Sequence, residues 1–242
     1  MSQALIDELI RIAVAKIDEW RSELLSMVER LGKEEAAFQI CWRVYQWPTG
    51  TPKEALDEFA RSISLEHLRD LARKHGVKDV ANVVIGVAKT VPKFNPGRGF
   101  ATFGEFVEKL VEVTQSSGGL VGYFNKFKSA KALQDELEKL PGVGPVLAPL
   151  LVRQLRLADI VKLDISEVSL SAADPVMRVL NRTGLVPKGT KPEEAERMVR
   201  EKFKVPPMVI DAGLWHVGFH YCREKEPACD ICPIARLCPK HI

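Results

Sequence analysis

Four of the five cysteines stand close together near the C-terminal end, in the pattern Cys222-x6-Cys229-x2-Cys232-x5-Cys238. Thiolates at these intervals can wrap one small metal centre within a single loop. Zinc modules usually pair two C-x2-C knuckles across a longer gap. Here one knuckle is flanked by a lone cysteine on either side, which suits a cubane iron–sulfur cluster with its four corner ligands. Zinc and free redox thiols stay open as readings of the same four residues. Disulfides are not expected of an intracellular chain. The fifth cysteine, Cys41, lies in an apolar helical stretch and reads as a buried thiol.

Two further groups carry chemistry. Leu140-Pro141-Gly142-Val143-Gly144 separates two helical stretches. Its glycines permit turn dihedrals and a close approach of backbone to a ligand. The amides that open the following helix, over about 145–155, then point outward and suit a phosphate. The same five residues also fit a plain turn between helices. Asp174-Pro175 reads by itself as the N-cap, Asp174, and the first residue, Pro175, of a helix. The Asp174 carboxylate becomes a chemical candidate only in the company of the other two groups.

These groups must be held by helices. Leu5, Leu9, Ile12, Ala13, Ile17 and Trp20 keep a period of 3.6, so 4–29 reads as one or two amphipathic helices. Further helices are expected over 33–47, 65–74 (closed by Gly76), 80–91, 130–140 and 146–155, with later ones over 174–182 and 209–221. Thr102-x-x-Glu105 and Thr190-x-x-Glu193 have the form of capping boxes and predict helix starts at those threonines. Lys162–Leu170 alternates enough to allow a short strand, although a loop fits it equally well. The fold class is therefore all-α, built from short interrupted helices.

The 242 residues are 46% hydrophobic and 28% charged, which excludes a disordered or collagen-like chain. The longest apolar runs, such as 83–88, cannot span a bilayer. The N-terminal stretch carries charges inside its apolar run and has no cleavage site, so an intracellular location is expected. The net charge of +3 permits an anionic partner without demanding one.

Taken in order, the hairpin, the aspartate and the C-x6-C-x2-C-x5-C pattern resemble the endonuclease III branch of the helix–hairpin–helix DNA glycosylase superfamily. The likeness is strongest over about 135–155 and 173–242, through Asp174–Thr183, Leu214–Cys222 and Pro227–Pro239, and weak before residue 130. It implies two helical lobes, 31–155 with the hairpin at 140–144, and 1–30 plus 156–242 with the cysteines. It implies a [4Fe–4S] cluster on Cys222, Cys229, Cys232 and Cys238, holding the C-terminal loop against DNA. The partner is double-stranded DNA, bound by a monomer that needs no membrane. A damaged or mismatched base is flipped into a pocket between the lobes. Asp174 faces the sugar and stabilises the oxocarbenium-like centre as the base leaves. The DNA contacts are Gly142, Val143, Gly144 and Val146 in the hairpin, with Arg223 and Lys225 in the cysteine loop.

Several positions depart from that pattern. Bifunctional members carry a lysine two residues after the second hairpin glycine, and here that residue is Val146. Valine offers no amine for a Schiff base, so a monofunctional glycosylase is expected, which releases the base with water and leaves the abasic site intact. The alternatives are a glycosylase/AP lyase using a relocated amine, with Lys162 the candidate, and a DNA-binding iron–sulfur protein without catalysis. Residues 158–172 look like an insertion ahead of Asp174 that reshapes the pocket mouth. In the N-terminal half, Gln39 is the candidate wedge and Trp42 the candidate stacking partner for a flipped base, with a core role for such aromatics the competing reading. Arg98, Lys126, Lys128 and Lys131 fit a DNA face or a solvated helix surface equally well.

Overall fold

The structure is a computed structural model that describes residues 3–239. Twelve α-helices and no strand are found among those residues. They divide into two compact units, 24–163 and 3–23 with 164–239. No helix among them is long and apolar enough to cross a membrane.

The first helix, α1 (Gln3–Leu31), is one continuous helix whose first part belongs to the split unit. The 24–163 unit then contains α2 (Lys33–Gln46), a 3-10 turn (Trp47–Thr49), α3 (Lys53–Ser62), α4 (Leu65–His75), α5 (Lys78–Thr90), α6 (Phe100–Ser117), α7 (Leu120–Asn125), α8 (Ala130–Leu137) and α9 (Gly144–Leu157). Helix α2 packs on α4, α7 and α9, while α5 lies along α6 and α8 along α9. The apolar centre is aromatic. Trp42, Phe59 and Phe103 are fully buried, and Phe59 meets Trp42 edge-on at 5.0 Å and Phe94 at 4.9 Å. Two glutamates at the start of α2 tie it to other helices. Glu34 accepts from the N–H groups of Leu120 (2.7 Å) and Val121 (3.0 Å) at the start of α7. Glu35 accepts from Leu65 N–H at 2.8 Å at the start of α4. Each carboxylate satisfies amides that a helix start leaves unpaired.

The split unit adds α10 (Asp174–Arg182), α11 (Pro192–Phe203) and α12 (Pro207–His220) to the first part of α1, with the cysteine segment after α12. Its core gathers Leu5, Leu9, Val176, Leu180, Leu214 and Val217. Gly213 and Gly218 let neighbouring backbone come close to α12. A Cβ at Gly213 would meet Leu9 O at 2.6 Å, and one at Gly218 would meet Pro175 O at 2.2 Å.

Both capping-box expectations fail. Helix α6 starts at Phe100, with Gly99 in the cap position, so Thr102 lies inside its first turn. Helix α11 starts at Pro192, and Thr190 donates instead to Pro187 O at 2.7 Å. In both places proline or glycine sets the boundary, and the threonine is not free to choose it. Asp174 stands one place further in than expected, as the first helical residue, with Ala173 in the cap position. The alternating stretch 162–170 is loop with one 3-10 turn at Ile165–Glu167. Helices α3 and α7 were not anticipated from the sequence. Expected helices over 33–47, 65–74, 80–91, 174–182 and 209–221 occur within a few residues of those bounds.

Candidate functional site

In the 24–163 unit, α8 ends in turns and α9 begins at Gly144, so 138–143 form the hairpin. Gly142 (φ 74°) and Gly144 (φ 60°) are both in the left-handed region, where a side chain would cost energy. Gly142 is required for a second reason. A Cβ there would lie 2.4 Å from the Tyr45 hydroxyl. Tyr45 is buried and stacked on Phe106 at 4.6 Å, so it has little room to retreat. Its hydroxyl is buried with no hydrogen-bond partner, and burial raises its pKa.

The hairpin residues serve different ends. Val143 is fully buried and its N–H donates to Leu140 O at 3.1 Å. It therefore anchors the turn from inside, and the expected DNA contact at Val143 has neither its side chain nor its amide to offer. Gly144 and Val146 carry N–H groups in the first turn of α9 that no helix carbonyl accepts, and the helix dipole makes that end favourable for an anion. Val146 is half-buried and Pro145 is exposed. Lys162 is exposed in the loop after α9.

The pocket candidates need correction. Trp42 has no exposed surface, being packed against Phe59 with the Arg43 guanidinium 4.9 Å from its ring centre. A base cannot stack on it without emptying the core. Gln39 is also buried and donates to Glu35 at 3.1 Å. Sequence reasoning passed over Gln46 at the other end of α2. Its Oε1 accepts from Thr49 (3.2 Å) and Thr51 (3.3 Å), while its buried Nε2 has no partner. Asn95 Nδ2 donates to Thr49 O at 2.9 Å, which fastens the loop carrying the exposed Arg98 to the 3-10 turn. The signal was present as Gln-Trp-Pro-Thr-Gly-Thr, a polar turn directly after an apolar helix.

In the split unit, Asp174 is exposed at the start of α10, a helix end that favours a carboxylate. The other end of α10 holds the cysteine segment. Arg178 donates to Cys222 O (2.5 Å) and Gly218 O (3.1 Å). Arg182 donates to Arg223 O (2.6 Å) and Glu224 O (3.0 Å), and its Nη1 lies 3.6 Å from Cys222 Sγ. One short helix thus carries the candidate carboxylate and grips the cysteine loop.

Cys222, Cys229, Cys232 and Cys238 line one cavity, closed otherwise by Val179, Thr183, Val217, Tyr221, Ile234 and Ala235. Burial raises the pKa of the Cys232 thiol, and the other three cysteines raise it further. Among the described residues, no group of three or more His, Cys, Asp or Glu is placed to hold a metal ion. Arg223 and Lys225 are exposed on the same segment, alternating with the exposed Glu224 and Glu226.

No protein-family model matches the chain, and no curated protein matches it either. Solved structures do match. One is a trapped endonuclease III–DNA covalent intermediate in an estranged-adenine complex, at 15% identity and a TM-score of 0.50, covering 92% of this chain and 95% of that one. Another is a non-covalent endonuclease III–DNA complex, at 14% identity, the same TM-score of 0.50 and the same coverage of 92% and 95%. With its helices, its hairpin and its order of elements, the chain has the all-α fold of endonuclease III.

Proposed function

We propose that this protein is a DNA glycosylase that removes a damaged or mismatched base by hydrolysis and leaves the sugar–phosphate chain intact. The observation that carries the reading is the endonuclease III fold over 92% of the chain, on which Asp174 stands exposed at a helix start. The matched endonuclease III structures are complexes with DNA. In this reading the hairpin binds a phosphodiester through the free amides of Gly144 and Val146, with Arg223 and Lys225 adding charge. The target base leaves the stack before the chemistry begins.

The bond between C1′ and the base nitrogen breaks, and its electron pair leaves with the base. The Asp174 carboxylate stabilises the positive charge that develops on the sugar. Water adds to C1′ and gives up one proton, and the free base takes up one proton. A carboxylate at a helix start is held by the dipole, so it needs no buried cation beside it. The covalent route needs an amine at the sugar. Val146 supplies none, which favours release by water.

We also propose that Cys222, Cys229, Cys232 and Cys238 hold a [4Fe–4S] cluster. The four thiols share one apolar cavity, which suits a compact cluster with one corner for each. A tetrahedral zinc ion would need its thiolates roughly 4 Å apart around one point. Arg182 beside Cys222 offsets negative charge on the thiolates. When bound, the cluster supplies a cross-link for a segment with little regular structure.

The test is a strand-cleavage assay on end-labelled duplexes, each with one lesion or mismatch, with half of every reaction treated with hot alkali. Breakage only after alkali, abolished by Asp174→Asn with duplex binding retained, is the expected result. Breakage without alkali would overturn the monofunctional reading. Full activity in Asp174→Asn would overturn the role of Asp174. Tight binding without cleavage of any duplex would leave a DNA-binding protein in place of an enzyme.

A further inference from the structure

Among the described residues no side chain hydrogen-bonds the Asp174 carboxylate, so its place is set by its backbone. That backbone is held in an unusual way. Three residues earlier, Ser171 is fully buried and gives both its hydrogens to one oxygen of Asp211, its N–H at 3.1 Å and its hydroxyl at 2.5 Å. Asp211 lies on α12 with no exposed surface. Hydrogen bonds to a charged acceptor are about twice as strong as neutral ones, and a buried carboxylate without them would be costly. The next residue, Ala172, has φ 47°, a left-handed conformation that a residue with a Cβ adopts only when its surroundings impose it. Ala173 then caps α10, and Asp174 follows.

The remaining segment is fastened on both sides of this point. Arg200 of α11 donates to Ser166 O at 2.8 Å, and Glu196 accepts from Leu170 N–H at 3.3 Å. Downstream, Gly218 of α12 leaves room for the Pro175 carbonyl, which a Cβ would strike at 2.2 Å. Residues 164–173 therefore form a sutured strap with its tightest knot at Ser171.

We propose that Asp211 and Ser171 are positioning residues, a buried latch that imposes the left-handed turn at Ala172 and so sets where Asp174 presents its carboxylate. The proposal rests on the reading of Asp174 given above. A carboxylate that works by facing a developing charge loses effect steeply with displacement, about a hundredfold for 1 Å.

The test compares Ser171→Ala, Asp211→Asn and Asp211→Ala with the wild type in single-turnover base release, corrected for the folded fraction, alongside duplex affinity. Ser171→Ala keeps the N–H bond and is expected to slow release about tenfold, and Asp211→Ala about a hundredfold, with affinity unchanged. Leu9→Ala in the same core is the control for stability alone. It should lower the melting temperature while keeping the wild-type rate per folded molecule. Hydrogen exchange over 171–176 is read on the same proteins and should quicken in Asp211→Ala but not in Leu9→Ala. Wild-type rates in Ser171→Ala and Asp211→Ala would overturn the latch. So would unchanged exchange at 171–176. If the wild type releases no base, or Asp174→Asn keeps its full rate, the reading of Asp174 fails, and exchange alone then decides whether the latch holds the segment. If Asp211→Ala does not fold, Ser171→Ala carries the decision.

Discussion

Gly142 and Gly144 belong to one turn and share a left-handed backbone, but replacing them with alanine should have different costs. At Gly144 (φ 60°) a Cβ meets nothing within 4 Å, so Gly144→Ala pays only the conformational term of about 1–2 kcal/mol. At Gly142 (φ 74°) the same term applies, and the new Cβ also falls 2.4 Å from the Tyr45 hydroxyl and 2.9 Å from its Cε2. Tyr45 is stacked on Phe106 at 4.6 Å and lies 5.6 Å from Phe103, so relief requires moving the aromatic core. Overpacking of that kind adds about 1–3 kcal/mol, giving about 2–5 kcal/mol for Gly142→Ala. Tyr45→Phe removes a buried hydroxyl that has no partner, and should be neutral or slightly stabilising alone. In the Gly142→Ala background it removes the closest overlap but not the ring, and should recover about 1 kcal/mol. Urea unfolding followed by circular dichroism measures all four variants. Equal costs at the two glycines would refute the steric argument, as would the absence of coupling between Gly142→Ala and Tyr45→Phe.

Three further outcomes follow from the geometry. Glu34→Ala removes the acceptor for two amides at the start of α7 and should cost about 1–2 kcal/mol in urea unfolding, with Glu34→Gln costing less; equal stability of Glu34→Ala and wild type would contradict the capping role. The pKa of His216 is pushed down to about 4, first by burial and then by Lys16 and His220, against an opposing pull from Glu19. A depressed histidine leaves stability intact above its ordinary value of about 6.5 and erodes it as pH falls from there towards 4. Because the ring is partly exposed, the loss should be about 1 kcal/mol after screening, and His216→Asn should unfold with a flatter dependence between pH 7.5 and pH 4.5; parallel dependences would refute it. Arg182→Met keeps the aliphatic stem but loses the bonds to Arg223 O and Glu224 O. With the proposed cluster bound, it should release iron to a chelator about tenfold faster than wild type, and wild-type release would show that the arginine does not hold the cysteine loop.

The parts of this protein that were legible in its sequence are those where chemistry is local. Helical periodicity reports which face of a segment is apolar, and that sufficed for an all-α fold and most helix bounds. The positive φ of Gly142 and Gly144 was legible because a turn between two apolar helices needs residues without a Cβ. The four cysteines were legible as a set because their spacing confines them to one loop. Local rules misled where a neighbour overruled them. Thr102 and Thr190 have the sequence of caps, but Gly99 and Pro192 set those helix starts.

What the tertiary structure decided is which side of each helix meets which neighbour. Trp42 as a core ring and Tyr45 as the reason for Gly142 both depend on packing partners far away along the chain. Asp211 illustrates the limit. Its carboxylate lies in the apolar run Met-Val-Ile-Asp-Ala-Gly-Leu and, once buried there, needs a hydrogen-bonding partner. Only the fold brings that partner, Ser171, from 40 residues earlier, because hydrogen-bond geometry is set by the packing of α12 and not by distance along the sequence.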